Sequence, residues 1–301
     1  MFLVRPRDAL TTYRYLRIAI PILVVMLGTS VAAQVFGPDP DCWLGSISAY
    51  YYTAARPVFV ASLCAMGACM VIYHGNTARE DAVLNVAGTL AFVVAFVPTP
   101  LSGLTVTPAE SSCARSNVPT SDQLDAAVDN NMLALLVAAS LMLAVAYGFQ
   151  VARSSSRLPS VAWGVLAAVV VVAWLLYFSD RSFIRDHGHL IAAVTMFGGM
   201  LVVVLLNAVR SARLDAQAVA PPPGYRSIYR AILVAMGMAG AVFGVLARAG
   251  SFDHTVFWLE AVLTALFGVF WVVQSKELWA VASRTDAAGP DAQALRNGSA
   301  G

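Results

Sequence analysis

Glu260 is the side chain whose position in this sequence most strongly suggests chemistry. It lies within an otherwise uncharged apolar run, six residues after His254, which is about 9 Å along a helix. An ionisable group at such a depth in a membrane is expensive to bury and usually faces the interior of a helix bundle. Asp253, seven residues earlier, shares the helix face of Glu260. Glu260 could therefore bind a cation, relay a proton or pair with a basic residue, and a structural hydrogen bond is the alternative.

Three of the four histidines fall near the same predicted surface: His187, His189 and His254. Zinc takes three protein ligands and a water in catalytic sites, so these side chains are candidate zinc ligands. Residues two apart point about 200° apart on a helix, so His187 and His189 could share an ion only from an irregular turn, which Gly188 permits. The alternative is that all three are polar boundary residues and that the protein holds no cofactor.

A third group of polar residues precedes the second apolar run. Asp41, Ser46 and Ser48 lie close to three consecutive tyrosines, residues 50–52, of the kind found at membrane interfaces. Together with the acids and histidines above, they predict an outward-facing polar pocket for a lipid headgroup, a small solute or a partner protein. The candidate pocket residues are Glu260, Asp253, His254, His187, His189, Ser46, Ser48 and Asp41.

The cysteines offer one candidate covalent link. Cys42 and Cys113 fall in two predicted outer loops, whereas Cys64 and Cys69 lie within one apolar run. A disulfide between Cys42 and Cys113 is possible in an oxidising outer compartment. Two free thiols are the alternative.

The composition excludes an ordinary soluble domain. Hydrophobic residues make up 59% of the chain and charged residues only 12%, whereas soluble domains usually carry about 25% charged residues. A soluble chain could not hide this much apolar surface in one core, but lipid as the solvent removes the conflict. The formal net charge of +2 is too small to indicate a nucleic-acid partner. Membrane lipids are therefore the expected partners.

Eight uncharged or nearly uncharged runs are each long enough to cross a membrane as a helix. The runs show no strict alternation, and an open sheet edge cannot persist in lipid, so we predict an all-α polytopic transmembrane bundle. The predicted spans cover about 16–37, 57–73, 82–98, 130–151, 159–179, 189–209, 230–248 and 255–275. They form one domain, residues 1–281, followed by a tail over 282–301 whose composition predicts disorder.

The distribution of basic residues predicts the orientation of the bundle. With eight spans and a cytoplasmic N-terminus, 14 of the 19 Lys and Arg residues fall in cytoplasmic segments. The positive-inside rule therefore places both termini in the cytoplasm, and we expect a multi-pass protein of the plasma membrane. Val31-Ala32-Ala33 also resembles a signal-peptide cleavage site, so the first span is either a retained helix or a cleaved leader.

The fourth helix is predicted to begin well before its apolar run. Thr120 and Gln123 have the spacing of a capping box, which gives a helix of about 30 residues that projects from the membrane. Asp122, Asp125 and Asp129 are spaced three and four apart and share one face of this helix. That face could attract cations, or it could be the solvated side of a projecting helix.

One stretch resembles a known membrane family. Ser46-Ile47-Ser48 in an outer loop is followed by an apolar span, a short polar loop and Asn85-Val86-Ala87-Gly88. This arrangement is similar to the loop and hairpin of the DRAM-type (damage-regulated autophagy modulator) family and of related bacterial membrane proteins of unknown function. The resemblance covers residues 46–98, with Ala49 where such relatives carry Asp and eight predicted spans instead of six. It implies a polytopic helical protein associated with lipids.

The combination of Ser, Asp and His residues also resembles alkaline-ceramidase-like intramembrane hydrolases, in which such residues hold zinc and activate water. This chain lacks their pair of histidines four residues apart on a late helix. Three functions remain open: a non-enzymatic protein with the polar pocket, a zinc-dependent lipid hydrolase, and a transporter. Gly198-Gly199 would be compatible with the broken helix of a transporter.

Overall fold

A computed structural model describes residues 6–37, 42–100, 119–153, 161–217, 224–250 and 254–279. Over these ranges all regular structure is helical, which confirms the predicted all-α class. The helices are α1 (Pro6–Val35), α2 (Arg56–Ile72), α3 (Ala78–Phe96), α4 (Ser121–Arg153), α5 (Val161–Ser179), α6 (Arg181–Gln217), α7 (Tyr225–Ala249) and α8 (Thr255–Glu277), with a 3₁₀ helix at Ser48–Tyr52. Each predicted span overlaps one α-helix. The predicted tail, 282–301, lies outside the described residues.

Five of these helices have the length and composition needed to cross a membrane, namely α1, α4, α6, α7 and α8. Helices α2 and α5 are apolar but shorter in their described parts. Large apolar side chains are exposed on the outer faces of the bundle, for example Phe178 at 73% and Val245 at 68%. So much exposed apolar surface indicates contact with lipid rather than water. The chain is therefore a helical integral membrane protein.

Six of the helices form a closed ring. Going around it, α1 packs on α2, α2 on α3, α3 on α6, α6 on α7, α7 on α8, and α8 back on α1. Helices α4 and α5 pair with each other and lie outside the ring, against α3 and α6. We call these two parts the ring and the hairpin. The order of contacts matters because residues distant in sequence meet inside the ring.

The two ends of the ring are closed differently. At one end, Arg14 Nε of α1 donates to the carbonyl of Trp279 at 2.7 Å, and Arg17 Nη1 donates to that of Leu278 at 2.8 Å. Basic side chains there satisfy carbonyls that the end of α8 leaves free. We call this the Glu80 end, because Glu80 in the first turn of α3 lies there. The segment 42–55, with its 3₁₀ helix, covers the opposite end, which we call the loop end.

Local sequence signals place several helix starts. Thr120 Oγ1 accepts from the N–H of Gln123, and Gln123 Oε1 accepts from the N–H of Thr120, so the predicted capping box is confirmed. Helix α4 has 33 residues, close to its predicted length. Asp180 precedes α6 and accepts hydrogen bonds from the Ser182 hydroxyl and the Phe183 N–H. These bonds lower the pKa of Asp180, because they stabilise its charged form.

Two glycines let α2 and α3 approach closely. A Cβ atom on Gly88 would lie 2.7 Å from the carbonyl oxygen of Gly67, and one on Gly67 would lie 2.6 Å from that of Gly88. Both obstacles are backbone atoms of another helix, so a side chain cannot be accommodated by a rotamer change. Small residues at such crossings are typical of helix packing in membranes.

We expect Gly88→Ala to destabilise the protein by about 1–3 kcal/mol, the usual cost of overpacking a well-packed site. The measurement is the thermal unfolding midpoint in detergent. Gly237→Ala is the matched control, because a Cβ at Gly237 would meet nothing within 4 Å. An equal effect of the two substitutions would contradict the close approach of α2 and α3.

Candidate functional site

Two of the predicted pocket residues meet at the loop end, where they form a clasp between α8 and the 3₁₀ helix. Ser48 donates twice to the carboxylate of Glu260, from its N–H at 3.1 Å and from its hydroxyl at 3.0 Å. Ser46 is used within the loop itself, where its hydroxyl accepts from the N–H of Ala49 at 3.0 Å. Glu260 thus supplies, from α8, the capping acceptor that the 3₁₀ helix lacks.

The first turns of α8 bind the preceding part of the same loop. The N–H of Phe257 donates to the carbonyl of Gly45 at 2.9 Å. His254 places Nδ1 3.3 Å from the carbonyl of Leu44, and its ring stacks on Trp43 with centroids 4.8 Å apart. His254 therefore packs the start of α8 against the loop.

The three tyrosines of the loop are buried instead of lying at an exposed interface. Tyr50 donates to the carbonyl of Cys42 at 2.8 Å, and Tyr52 donates to that of Thr99 at 2.7 Å. Burial raises the pKa of Tyr50 to about 12 and raises the pKa of Tyr52 further still. Both phenols therefore stay protonated and keep donating at any physiological pH. The three side chains pack inside the loop end of the helix ring, and their position at a membrane interface stays a prediction.

A small cavity of about 40 Å³ lies beneath the clasp, inside the ring. Its walls are apolar apart from Ser48, Glu260 and Thr264. This volume is enough to hold at least one water molecule. Asp41 and Asp253, the other predicted acids of the pocket, lie outside the described residues, so the complete outward-facing pocket stays a prediction.

The three candidate zinc ligands have separate surroundings. His187 is exposed and stacks on Phe183, with ring centroids 5.0 Å apart. His189 is buried, with Nδ1 2.6 Å from the carbonyl of Val97, and His254 contacts the loop. Among the residues that the structure describes, no group of three His, Cys, Asp or Glu side chains is placed to hold a metal ion.

The acidic face of α4 is bound to basic side chains of α6. Arg185 donates to Asp125 at 3.0 Å and to Asp129 at 2.8 Å, and Arg181 donates to Asp129 at 3.2 Å. Tyr177 of α5 adds a hydrogen bond to the carbonyl of Asp129. This group, which we call the arginine clamp, attaches the hairpin to the ring at the loop end.

We expect Arg185→Ala to lower the free energy of unfolding by about 1 kcal/mol, measured as a lower thermal unfolding midpoint. The effect is small because the ion pairs are partly exposed and screened by solvent. The difference from the wild type should shrink as salt is added. Arg248→Ala is the control, since Arg248 is exposed near the end of α7. A salt-independent loss would mean that Arg185 acts by packing alone.

The cysteine prediction falls partly outside the described residues. Cys42 is buried and disulfide-bonded, whereas Cys64 and Cys69 are free. Cys113, the predicted partner, lies in the segment that the structure does not describe, so the pairing stays a prediction. Mass spectrometry of peptides from unreduced protein should yield a linked fragment containing Cys42 and Cys113.

The most deeply buried carboxylate among the described residues, that of Glu80, and the amide side chains around it were not predicted. Glu80, in the first turn of α3, is 1% exposed, and its neighbours Asn207 of α6 and Gln274 of α8 are 0% exposed. Asn76, in the turn before α3, is also buried. Two other helices of the ring and one connecting turn thus converge on the Glu80 carboxylate of α3. We call these four residues the Glu80 site.

Amide groups surround the Glu80 carboxylate. Oε2 accepts from the N–H of Asn76 at 3.0 Å, and Oε1 accepts from the side-chain amides of Asn76 at 3.2 Å and Asn207 at 2.9 Å. Gln274 Nε2 lies 3.5 Å from Oε1 and 3.2 Å from Asn207 Oδ1. The other amide atom of Gln274, Oε1, is buried and has no hydrogen-bond partner in the described structure.

Arg17 of α1 contacts the C-terminal end of α8, close to the Glu80 site. It is fully buried, its Nε donates to Tyr73 Oη at 3.3 Å, and it binds the carbonyl of Leu278, one helical turn beyond Gln274. Its guanidinium also lies 5.4 Å from the centre of the Tyr73 ring. The positively charged side chains of Arg14 and Arg17 thus lie at the Glu80 end, about one turn of α8 beyond the Glu80 carboxylate. Tyr73 in turn packs edge-on against Trp271 of α8.

The Glu80 site could not be recognised from sequence for a specific reason. Glu80 follows Arg79 and precedes Asp81, so its charge looks like that of a short polar loop. A usable signal lay elsewhere, since Asn207 and Gln274 are single amide residues inside apolar runs. Such residues in membrane helices usually bind another helix. Only the ring shows that both bind the same carboxylate.

The fold and these clusters define a helical membrane protein with buried polar groups at both ends of a six-helix ring. No protein-family model, curated protein or solved structure matches the chain. The resemblance of residues 46–98 to the DRAM-type family therefore stays a prediction.

Proposed function

We propose that all eight helices cross the plasma membrane and that both termini are cytoplasmic. The closed ring supports this proposal for α2 and α3, because each packs between helices of the same assembly. The 14 basic residues on the predicted cytoplasmic side, among them Arg14 and Arg17, support the orientation. The Glu80 end would then face the cytoplasm.

We propose that the protein is a non-enzymatic membrane protein that binds a small monovalent cation at the Glu80 site. The observation that carries this proposal is a fully buried carboxylate whose neighbour Gln274 has a buried amide oxygen with no hydrogen-bond partner in the described structure. Ionisable groups within membrane bundles are rare and commonly mark ion pathways.

The ligand types at the site favour a small, hard cation. Such ions take oxygen ligands from carboxylates and from the amides of Asn and Gln. Glu80 contributes one negative charge, and Asn76, Asn207 and Gln274 are neutral, so a single positive charge would balance the group. An amide can present either oxygen or nitrogen by rotation, which would let these side chains turn their oxygens toward an ion.

A purely structural role for the network is the competing explanation. Buried polar networks can fix the arrangement of helices without binding any ligand. The two roles differ in their response to ions, since only a bound ion makes stability depend on ion concentration.

The test is thermal unfolding of purified protein in detergent, with lithium, sodium or potassium chloride compared with choline chloride at equal ionic strength. A cation that binds the folded state should raise stability by about 2.7 kcal/mol at 100 times its Kd. Glu80→Gln should abolish this ion-specific increase, whereas Asp186→Asn, at an exposed site on α6, should retain it. If none of the three cations stabilises the wild type relative to choline, the proposal is wrong.

A further inference from the structure

A long cleft separates the ring from the hairpin. Two cavities, of about 310 and 380 Å³, lie between α3 and the pair α4–α5, and the second extends to α6. Both are lined by Thr89, Ala139, Val169 and Val170, so the two cavities adjoin each other. The cleft is distinct from the Glu80 site, which lies inside the ring.

The cleft is polar at one end and apolar at the other. Asp81, Asn85 and Thr89 are four residues apart along α3 and form a polar stripe in the half nearer the Glu80 end. The half nearer the loop end is lined by apolar side chains, such as Leu136 and Ile191. A cavity with this gradient matches an amphiphile rather than a uniformly apolar or polar ligand.

The length of the cleft corresponds to one leaflet. Asp81 and Val93, which line its two halves, are separated by 12 residues, or about 18 Å along α3. Half of a hydrocarbon core of about 30 Å is about 15 Å. One acyl chain of a lipid whose head lies at Asp81 would therefore fill the cleft along its length.

Among the described residues, the ion pairs that attach the hairpin to the ring lie at the loop end, away from the polar half of the cleft. The arginine clamp binds α4 to α6 at the loop end. Toward the other end, Trp163 of α5 lines the cleft and donates to the carbonyl of Leu143 of α4 at 2.9 Å, a bond within the hairpin itself. Asp81 is 22% exposed there, 3.1 Å from the ring of His74.

We propose that this cleft binds an aminophospholipid, with one acyl chain between ring and hairpin and the ammonium group at Asp81. The carboxylate of Asp81 attracts an ammonium head, and its charge repels the net negative head of phosphatidylglycerol. Asn85, whose amide lies 3.4 Å from Asp81 Oδ2, can bind the neighbouring phosphate or ester oxygens. The proposal does not depend on a cation at the Glu80 site.

The test is native mass spectrometry of protein taken from vesicles with equal amounts of phosphatidylethanolamine and phosphatidylglycerol. The wild type should retain phosphatidylethanolamine in about tenfold preference, which corresponds to a single good charge contact. Asp81→Asn should remove the preference, and Asp122→Asn, an exposed acid at the start of α4, should preserve it.

A second variant tests the cleft without touching the polar stripe. Ala139 lines both cavities, so Ala139→Trp should fill the junction and reduce retention of both lipids. Asp81 accepts a hydrogen bond from the N–H of Gly75, so Asp81→Asn could disturb folding. In that case Ala139→Trp still tests the cleft, because it leaves this bond intact. Equal retention of the two lipids by the wild type would overturn the proposal, as would undiminished retention by folded Ala139→Trp.

Discussion

Glu260→Leu is expected to release the loop at residues 42–53 from α8 and to lower stability by about 2–4 kcal/mol. The leucine removes the acceptor of the Ser48 N–H and of the Ser48 hydroxyl. Each buried donor left without a partner costs about 1–3 kcal/mol, less where water can reach it. Faster hydrogen exchange of the amides of residues 47 and 48 should accompany the loss.

Two further variants separate the clasp from a general loss of packing. Glu260→Gln keeps one acceptor oxygen and should cost less than Glu260→Leu. Ser48→Ala removes one donor together with its need for an acceptor, so its effect should be smaller still. If Glu260→Leu leaves hydrogen exchange of the loop unchanged, the carboxylate does not hold the loop, and an assignment of Glu260 to ligand binding would regain support.

Glu80→Leu is expected to have the largest effect of any single substitution considered, with a loss of about 3 kcal/mol or more. It leaves the N–H of Asn76 and the side-chain amides of Asn76 and Asn207 without their shared acceptor, deep in the ring. Unpaired polar groups are costly in a low-dielectric interior. The measurement is the unfolding midpoint in detergent, supported by the yield of monodisperse protein.

A double variant is the informative control for Glu80. Adding Asn207→Leu to Glu80→Leu removes one of the unpaired amides, so the double variant should be more stable than the sum of the single effects predicts. Strict additivity would show that the two side chains do not interact. Since no apolar side chain binds a cation, the double variant should stay insensitive to ions even where stability recovers.

The two carboxylates lie near opposite ends of α8, although only Glu260 belongs to that helix and Glu80 belongs to α3. Glu260 and the Gln274 contact of Glu80 are 14 residues apart on α8, or about 21 Å. Phe267 and Trp271, both buried, lie between them. These aromatic side chains separate the two polar groups, so the described part of the six-helix bundle holds one polar site at each end.

Several features of the protein follow from sequence alone. The spacing of charges and apolar runs locates the eight helices to within a few residues for most boundaries, because lipid requires each long apolar segment to satisfy its backbone internally. The capping box at Thr120 and Gln123 is equally local, since donors and acceptors lie three residues apart. The membrane class follows from composition, which needs no knowledge of contacts.

The partners of the polar side chains depended on tertiary structure. Glu260 and Ser48 were predicted to line one pocket but not to contact each other, and the fold brings them together because α8 returns to the loop end 212 positions later in the chain. Glu80 escaped notice, since its binding partners come from α6 and α8. Helix periodicity determines which face a residue occupies, but the closure of α1 onto α8 decides which faces meet. That closure depends on side-chain packing among all six helices, which no local pattern encodes.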